Sequence, residues 1–447
     1  MENPLRILFL PVGSLPWMHG GREVFSLHLA RELRGLGHDV RLALHQNPET
    51  GEPLGRHEVE GVPVEVLPPL VCRSYRRARY SRCADEAPGY GGLLAAFAPE
   101  VVHLHDFSEA AGLLHLREAR RAGARTVMTY HSPGQSCLQT ALLRGGTIPC
   151  DGEIRPVRCT ACRLQSTGIP APAAGIAARL PLPFLGVDHP NPLMRVLTAR
   201  NATDLFIRAW REMLELTDVI HVHAAWVRDL MLRNGVPEAK LAFRKTGLPR
   251  MPARVGRLPS ADGRLRLVFV GRCSPIKGIH VLVEAVSRLS ADAPLDISLI
   301  GPYWETDYGR KLMTRIEGDR RFRRPVLVPH AEMDRVWAEA DVCVVPSTWL
   351  ETGPLVALEA MAAAVPVVGS RLGGIAELVT DGVNGLLFEP GDAAGLAGVL
   401  SRLLAEPGLR DRLAAGIRPP RTLADLAAEL AEVYQGLVGR EADTAPQ

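Results

Sequence analysis

Aromatic residues are scarce in this chain, 5% of 447 positions. A surface that stacks nucleobases needs them, so a nucleic-acid partner is not expected. Charge of one sign is also lacking. Lys and Arg exceed Asp and Glu by 52 − 49 = 3, which supplies no electrostatic footprint for a polyanion. Long hydrophobic runs are missing too. Leu5–Val12 is short, meets Gly13 and Pro16, and carries no basic leader or cleavage site. Pro170–Val187 is apolar but broken by prolines and by Arg179. The expectation is a cytoplasmic protein, with contact to a membrane surface left open.

Three motifs are absent as well. No G-x-G-x-x-G follows the first apolar run, which speaks against a nicotinamide or flavin site. There is no P-loop, and no Asp-x-Asp to bridge a metal to a diphosphate.

What is present is alternation. Short apolar runs recur at Leu5–Val12, Asp39–Leu44, Val101–His105, Thr126–His131, Asp218–His223 and Leu241–Lys245. They continue at Leu265–Gly271, Leu295–Gly301, Val326–His330, Asp341–Ser347 and Val365–Ser370. Helical patterns such as Arg22–Leu36, Ile279–Leu289 and Leu355–Ala364 separate them. Near-continuous apolar strands alternating with helices predict parallel sheets covered on both faces. Two doubly wound α/β domains are expected, 1–250 and 262–418, joined by the Pro-rich stretch Pro249–Asp262. Thr422–Leu437 has an amphipathic helical pattern. Residues 132–191, dense in Pro, Gly and Cys, show no periodic element and read as a long loop.

Ligands of open parallel sheets bind beyond the carboxyl ends of strands, so the loops after strands are where chemistry is expected. After Asp341–Ser347 come Glu351, Thr352, Gly353, Pro354, Leu355 and, further on, Glu359. Pro354 suits the first turn of a helix, whose amides and dipole favour an anion such as a diphosphate. Two carboxylates there can accept hydrogen bonds from vicinal hydroxyls of a sugar and a ribose. After Leu265–Gly271 come Arg272 and Lys277 beside Gly278, cations that would neutralise phosphates and a departing nucleotide. After Leu5–Val12, Gly20 and Gly21 open a helix and allow close backbone approach, although N-capping alone explains them equally well.

Cys137, Cys150, Cys159 and Cys162 have the spacing C-x12-C-x8-C-x2-C. This pattern fits a structural zinc site, with iron–sulfur ligation or reduced free thiols as alternatives. Arg73, Arg76, Arg77, Arg79 and Arg82 surround Tyr75 and Tyr80. A solvated charged face is the plain reading of that run, and contact with anionic lipid or an acceptor diphosphate is the functional one.

These residues together resemble the retaining GT-B glycosyltransferases, specifically the large family 4. Glu351 and Glu359, with seven residues between them, stand ahead of Ala360-Met361-Ala362, Arg272 and Lys277 match the family's phosphate-binding pair, and Gly20-Gly21-x-Glu23 matches its N-terminal glycine loop. Gly373-Gly374-Ile-Ala-Glu377, followed by Asn384-Gly385, is also similar to the family. The resemblance covers nearly the whole chain and is most specific over 265–390.

The resemblance implies two Rossmann-like domains facing across a cleft, with a last helix, 419–440, crossing back to the first. It implies a nucleotide-sugar donor, UDP- or GDP-linked, in the C-terminal domain, and a glycan or lipid-linked acceptor. Glu351 would contact the transferred sugar, Glu359 the ribose, amides of Thr352–Leu355 the sugar and phosphate, and Arg272 and Lys277 the leaving diphosphate. His131, at the end of Thr126–His131, aligns with the family's N-domain histidine near the reaction centre. Ser132 departs from relatives with a similar cysteine-containing loop, which usually carry Asp there. No catalytic cofactor is implied. A nucleotide-sugar epimerase, a phosphorylase and a non-catalytic nucleotide-sugar-binding protein are the competing readings.

Overall fold

The computed structural model describes residues 3–11, 21–145, 148–182, 184–252, 258, 260 and 262–442. The chain divides into two compact units, Met1–Lys245 with Leu423–Gln447, and Thr246–Thr422.

The first unit is built on one eight-stranded sheet. Its spatial order is Leu241–Phe243, Val219–Val222, Arg125–Tyr130, Val101–Leu104, Arg6–Leu10, Asp39–His45, Val62–Leu67, Gly55–Val59. All neighbours are parallel except the last pair. That pair is a tight hairpin absent from the sequence reading. Glu60 and Gly61 turn it with φ of 50° and 79°, the twist that two-residue hairpins favour. Ile7, Leu8 and Phe9 are fully buried, as a central strand covered on both faces requires.

The helix Leu423–Ala442 belongs to this unit. Leu426, Leu430, Tyr434 and Leu437 recur at helical spacing and pack with Phe25, Leu29 and Leu33 of the helix Gly21–Gly35.

Residues 132–191 depart from the expected loop. Helices form at Pro156–Ser166 and Ala171–Ala177, a turn at Pro133–Gln135, and a two-stranded ribbon from Leu143–Arg144 and Ile148–Pro149. Pro156 starts the first helix where its missing N–H costs nothing. Only Thr160 and Leu164 of that helix are buried, too few to print a period on the sequence. They lie toward the long helix Ala199–Leu216, where Thr160 Oγ1 is 2.8 Å from Thr203 Oγ1.

The second unit carries a five-stranded parallel sheet, in the order Leu295–Ile300, Leu265–Val270, Val342–Val345, Val367–Ser370, Gly385–Phe388. The expected strand Val326–His330 does not form. Phe322 and Val326 make single bridges to Ile297 and Ile300. Pro325 and Pro329 offer no N–H, which interrupts any longer ladder.

Strand order reverses between Leu265–Val270 and Val342–Val345. A crevice opens beyond the carboxyl ends of strands at such a switch point, and both loops singled out in the sequence start there.

Candidate functional site

Lys277 ends the turn Pro275–Lys277, and Glu351 lies in the loop before the helix Leu355–Ala362. The structure brings them together. Lys277 Nζ is 2.7 Å from Glu351 Oε1, and Ser347 Oγ donates to the same oxygen at 2.9 Å. Burial alone would raise the Glu351 carboxyl. The Lys277 ammonium and the Ser347 hydrogen bond outweigh that and hold it below the ordinary value. Lys277 also stands 5.8 Å from the Trp349 ring centroid. Ser347 was not a candidate from sequence, since a hydroxyl four residues before a glutamate carries no recognisable signal.

The two loops are locked by backbone. Thr348 N donates to Ile276 O at 2.9 Å, and Gly374 N donates to Glu351 O at 2.7 Å. Gly278, at φ +72°, has the Pro346 carbonyl where a Cβ would sit. Gly373 and Gly374 press on the loop, where a Cβ on Gly374 would lie 2.8 Å from Glu351 O. Arg272 is exposed, and no carboxylate among the described residues pairs with it.

Pro354 caps the helix Leu355–Ala362 instead of sitting in its first turn. It has no N–H, so the donors within Thr352–Leu355 are the amides of Thr352, Gly353 and Leu355. No acceptor among the described residues takes the amide hydrogens of Gly353 and Leu355.

Glu359 lies on the same helix. Burial pushes its carboxyl up to about 7, and no described group hydrogen-bonds it. A raised acid loses stability as pH climbs from its unfolded value of 4.5 through about 7. Glu359→Gln is therefore expected to stabilise the protein by about 2 kcal/mol at pH 8 and by almost nothing at pH 4.5. Urea unfolding at both pH values checks this. Equal stability of the two proteins at pH 8 would sink it.

In the first unit, His131 follows the strand Arg125–Tyr130. Its Nε2 is 3.1 Å from His105 Nδ1, and the Phe25 ring meets it edge-on at 5.0 Å. Burial, then neighbouring His223, His105 and Arg22, push its pKa well down, so the ring is neutral at pH 7. Gln135 clamps the turn. Its Oε1 accepts from His131 N at 2.7 Å, and its Nε2 donates to Thr129 O at 3.0 Å. Gly21 is the first residue of the helix Gly21–Gly35 and is exposed, and the next residue, Arg22, pairs with Asp106 at 3.2 Å. Gly20 lies outside the described residues.

Beneath His131 is a histidine layer that the sequence reading missed. His103 Nδ1 is 2.7 Å from Tyr434 OH and its Nε2 2.7 Å from Thr129 Oγ1. Thr129 Oγ1 is 3.0 Å from His221 Nδ1, and His221 Nε2 is 3.0 Å from Arg244 O. His105 and His223 complete the layer. The signal was there, as H-x-H at 103/105 and 221/223, because period-two spacing puts both histidines of each pair on one face.

The arginine run is not uniformly solvated. Arg73, Arg77 and Arg79 are exposed. Arg82 is buried, its Nη2 donates to Gly134 O at 2.7 Å, and it lies 5.2 Å from the Phe206 centroid. The four clustered cysteines are free thiols. Among the described residues, no three His, Cys, Asp or Glu side chains are grouped as the ligands of one ion. No helix of the described residues is long and apolar enough to cross a membrane.

Residues 20–247 match the family description "Glycosyl transferase 4-like domain", and residues 264–406 match "Glycosyl transferases group 1". A D-inositol 3-phosphate glycosyltransferase of Frankia alni is 36% identical over 89% of this chain and 89% of its own length. A protein of the same name from Thermomonospora curvata is 37% identical over 56% of this chain, and the match spans 61% of that protein's length. Matches to other such relatives span about half of their lengths, 42% and 52% in two cases. The structure of Anabaena HepE in complex with UDP and glucose superposes with a TM-score of 0.64 at 16% identity, covering 97% of this chain and 100% of that one. That likeness gives the fold, GT-B, with its two parallel-sheet α/β domains. The chain belongs to the glycosyltransferase family whose members join a glycosyl transferase 4-like domain to a group 1 domain.

Proposed function

We propose that the protein moves a hexosyl group from a UDP- or GDP-linked donor to a hydroxyl of a glycan or lipid-linked acceptor, with retention at the anomeric carbon. The observation that carries this reading is the Lys277–Glu351 pair at the switch point of the second unit, beside Arg272, which pairs with no carboxylate among the described residues. Without a donor, the ammonium and the carboxylate neutralise each other. A donor diphosphate competes for Lys277 and Arg272, which frees Glu351 to accept hydrogen bonds from the transferred sugar. Glu359 holds the ribose, the amides of Thr352, Gly353 and Leu355 contact sugar and phosphate, and the Gly20-Gly21 turn admits the donor closely. His131 contacts the donor sugar.

In this reading the bond from the anomeric carbon to the diphosphate breaks while the acceptor oxygen bonds the same face. The acceptor proton passes to the leaving phosphate, so no protein base is needed. Arg272 and Lys277 stabilise the charge that develops on the leaving group. No metal takes part in the chemistry. Zinc, where it enters, is structural, since four thiolates leave no open coordination position. Exposed Arg73, Arg77 and Arg79 beside exposed Tyr75 support work at the cytoplasmic membrane face, and sedimentation with anionic against neutral liposomes tests that contact.

The main test incubates the protein with UDP- and GDP-sugars and follows free nucleotide, product and anomeric configuration, with and without EDTA. Turnover with one donor, retained configuration, indifference to EDTA and a loss of about 10²–10³-fold in Lys277→Ala are expected. Conversion of one nucleotide sugar into another, phosphate-dependent cleavage, or inverted product would overturn the reading.

A further inference from the structure

The cysteines at 137, 150, 159 and 162 come from three separate stretches. Cys137 follows the turn Pro133–Gln135, Cys150 follows the strand Ile148–Pro149, and Cys159 and Cys162 lie three residues apart on the helix Pro156–Ser166. Residues three apart share a helix face. All four cysteines line one cavity of about 30 Å³. That volume holds one or two water-sized particles, which is room for a single ion.

Three of the four sulfurs accept a backbone amide. Cys137 Sγ accepts the Gln139 amide at 3.4 Å, Cys150 Sγ the Gly152 amide at 3.5 Å, and Cys159 Sγ the Arg155 amide at 3.3 Å. A neutral thiol is a weak acceptor, whereas a thiolate gains from each such donor. Two of these amides come from the second residue after the cysteine, so the chain turns back over the sulfur in the same way twice. Gly152 makes one of those turns possible. It adopts φ +76°, and a Cβ there would run into the Leu230 side chain.

The segment has little apolar core of its own. Its own apolar clusters are small, Leu138 with Val187, Phe206, Tyr80 and Ala202, and Leu164 with Ala174, Ala177 and Ala199. Gln139 Nε2 ties the Cys137 stretch to the helix, donating to Cys162 O at 2.9 Å and to Ser166 Oγ. A metal would join all three stretches at once, and its binding free energy becomes folding free energy.

We propose that Cys137, Cys150, Cys159 and Cys162 bind one zinc ion in a tetrahedral, structural site within the first unit. None of the four is in a disulfide, and as placed their sulfurs are not drawn onto a common point. The four residues wall the same small cavity, and a zinc ion bound there would take its four sulfurs at about 2.3 Å. The donor set is all sulfur, which selects zinc over calcium or magnesium. The proposal stands apart from the transferase reading and survives or fails without it.

Metal analysis of the full chain, produced with zinc supplied, tests this. About one equivalent of zinc is expected, lost in Cys137→Ser and Cys162→Ser and kept in Cys72→Ser. Those cysteine variants can lose the metal through misfolding, so the unaltered protein is also stripped and titrated with Co(II). The intense ligand-field and thiolate charge-transfer bands of a tetrahedral all-thiolate site are expected. Zinc far below one equivalent with no such bands, iron with labile sulfide, or a disulfide among the four found by mass spectrometry would overturn the proposal.

Discussion

Lowering the pH from 7.5 to 5.5 is expected to remove about 4–7 kcal/mol of stability, a large part of what a domain has. The cause is a set of histidines buried in the neutral form. His103, His105, His115, His221 and His223 are all buried. Burial lowers each of them, to about 3 for His105 and His115, to about 4 for His221, and well below the ordinary 6.5 for His103 and His223. Their neighbours are mostly other histidines, and the hydrogen-bond partners are a tyrosine, a threonine and a carbonyl, so no carboxylate compensates a proton. A depressed folded pKa means that stability is full above the unfolded value. It is lost as pH falls from 6.5 toward the folded values, because only the unfolded chain then binds protons. Each histidine costs about 1.4 kcal/mol per pH unit in that window. Five of them give about 7 kcal/mol at pH 5.5, and mutual repulsion and local hydration reduce the sum. Urea unfolding at pH 7.5, 6.5 and 5.5 measures the slope directly. His221→Gln removes one titrating group and should lower proton uptake on unfolding by about one. A total uptake below one proton across this range would show that the layer is hydrated or already charged.

That layer also marks where sequence reasoning stopped. The strands Val101–Leu104 and Val219–Val222 were readable as apolar runs, and so was the alternation that makes both units doubly wound. The histidines inside the runs passed as ordinary strand residues. Only tertiary packing says that His103 meets Tyr434, 331 residues away, because that contact depends on where the last helix lies. The residues of the two loops that meet at Lys277 and Glu351 were legible because a strand-end loop concentrates glycine, cations and carboxylates over a short stretch. Ser347 and Gln135 were not, since each acts through side-chain hydrogen bonds within its own turn. Arg82 was read with its neighbours as a charged run, yet one residue of that run turns inward onto Phe206. The helix Pro156–Ser166 escaped because cysteines and a threonine occupy the positions where apolar residues would have printed a period. Val326–His330 failed in the other direction. Its apolar content was strand-like, and its flanking prolines decided the outcome.

Gly278→Ala is expected to lower turnover about 10²-fold or more and to destabilise the protein by about 2–4 kcal/mol. Two separate penalties meet at this position. The residue sits at φ +72°, which costs an alanine about 1–2 kcal/mol. The added Cβ also lands on the Pro346 carbonyl, a backbone atom that cannot rotate away. The loop at Pro346–Thr348 must then separate from the turn at Pro275–Gly278, and Thr348 N loses its 2.9 Å bond to Ile276 O. Lys277 rides on one side of that seam and Glu351 on the other, so their 2.7 Å pairing is what the displacement breaks. Gly263 supplies the control. It has the same φ of +72°, and nothing lies within 4 Å of its missing Cβ. Gly263→Ala should therefore cost only the backbone strain, about 1–2 kcal/mol, and leave turnover unchanged. Denaturant midpoints and initial rates of the two variants, side by side, separate strain from collision. If Gly278→Ala behaved like Gly263→Ala in both measurements, the seam would not be what positions Lys277 and Glu351. If it lost stability but kept full turnover, the seam would hold the fold together, and the Lys277–Glu351 pair would not be the centre of the site.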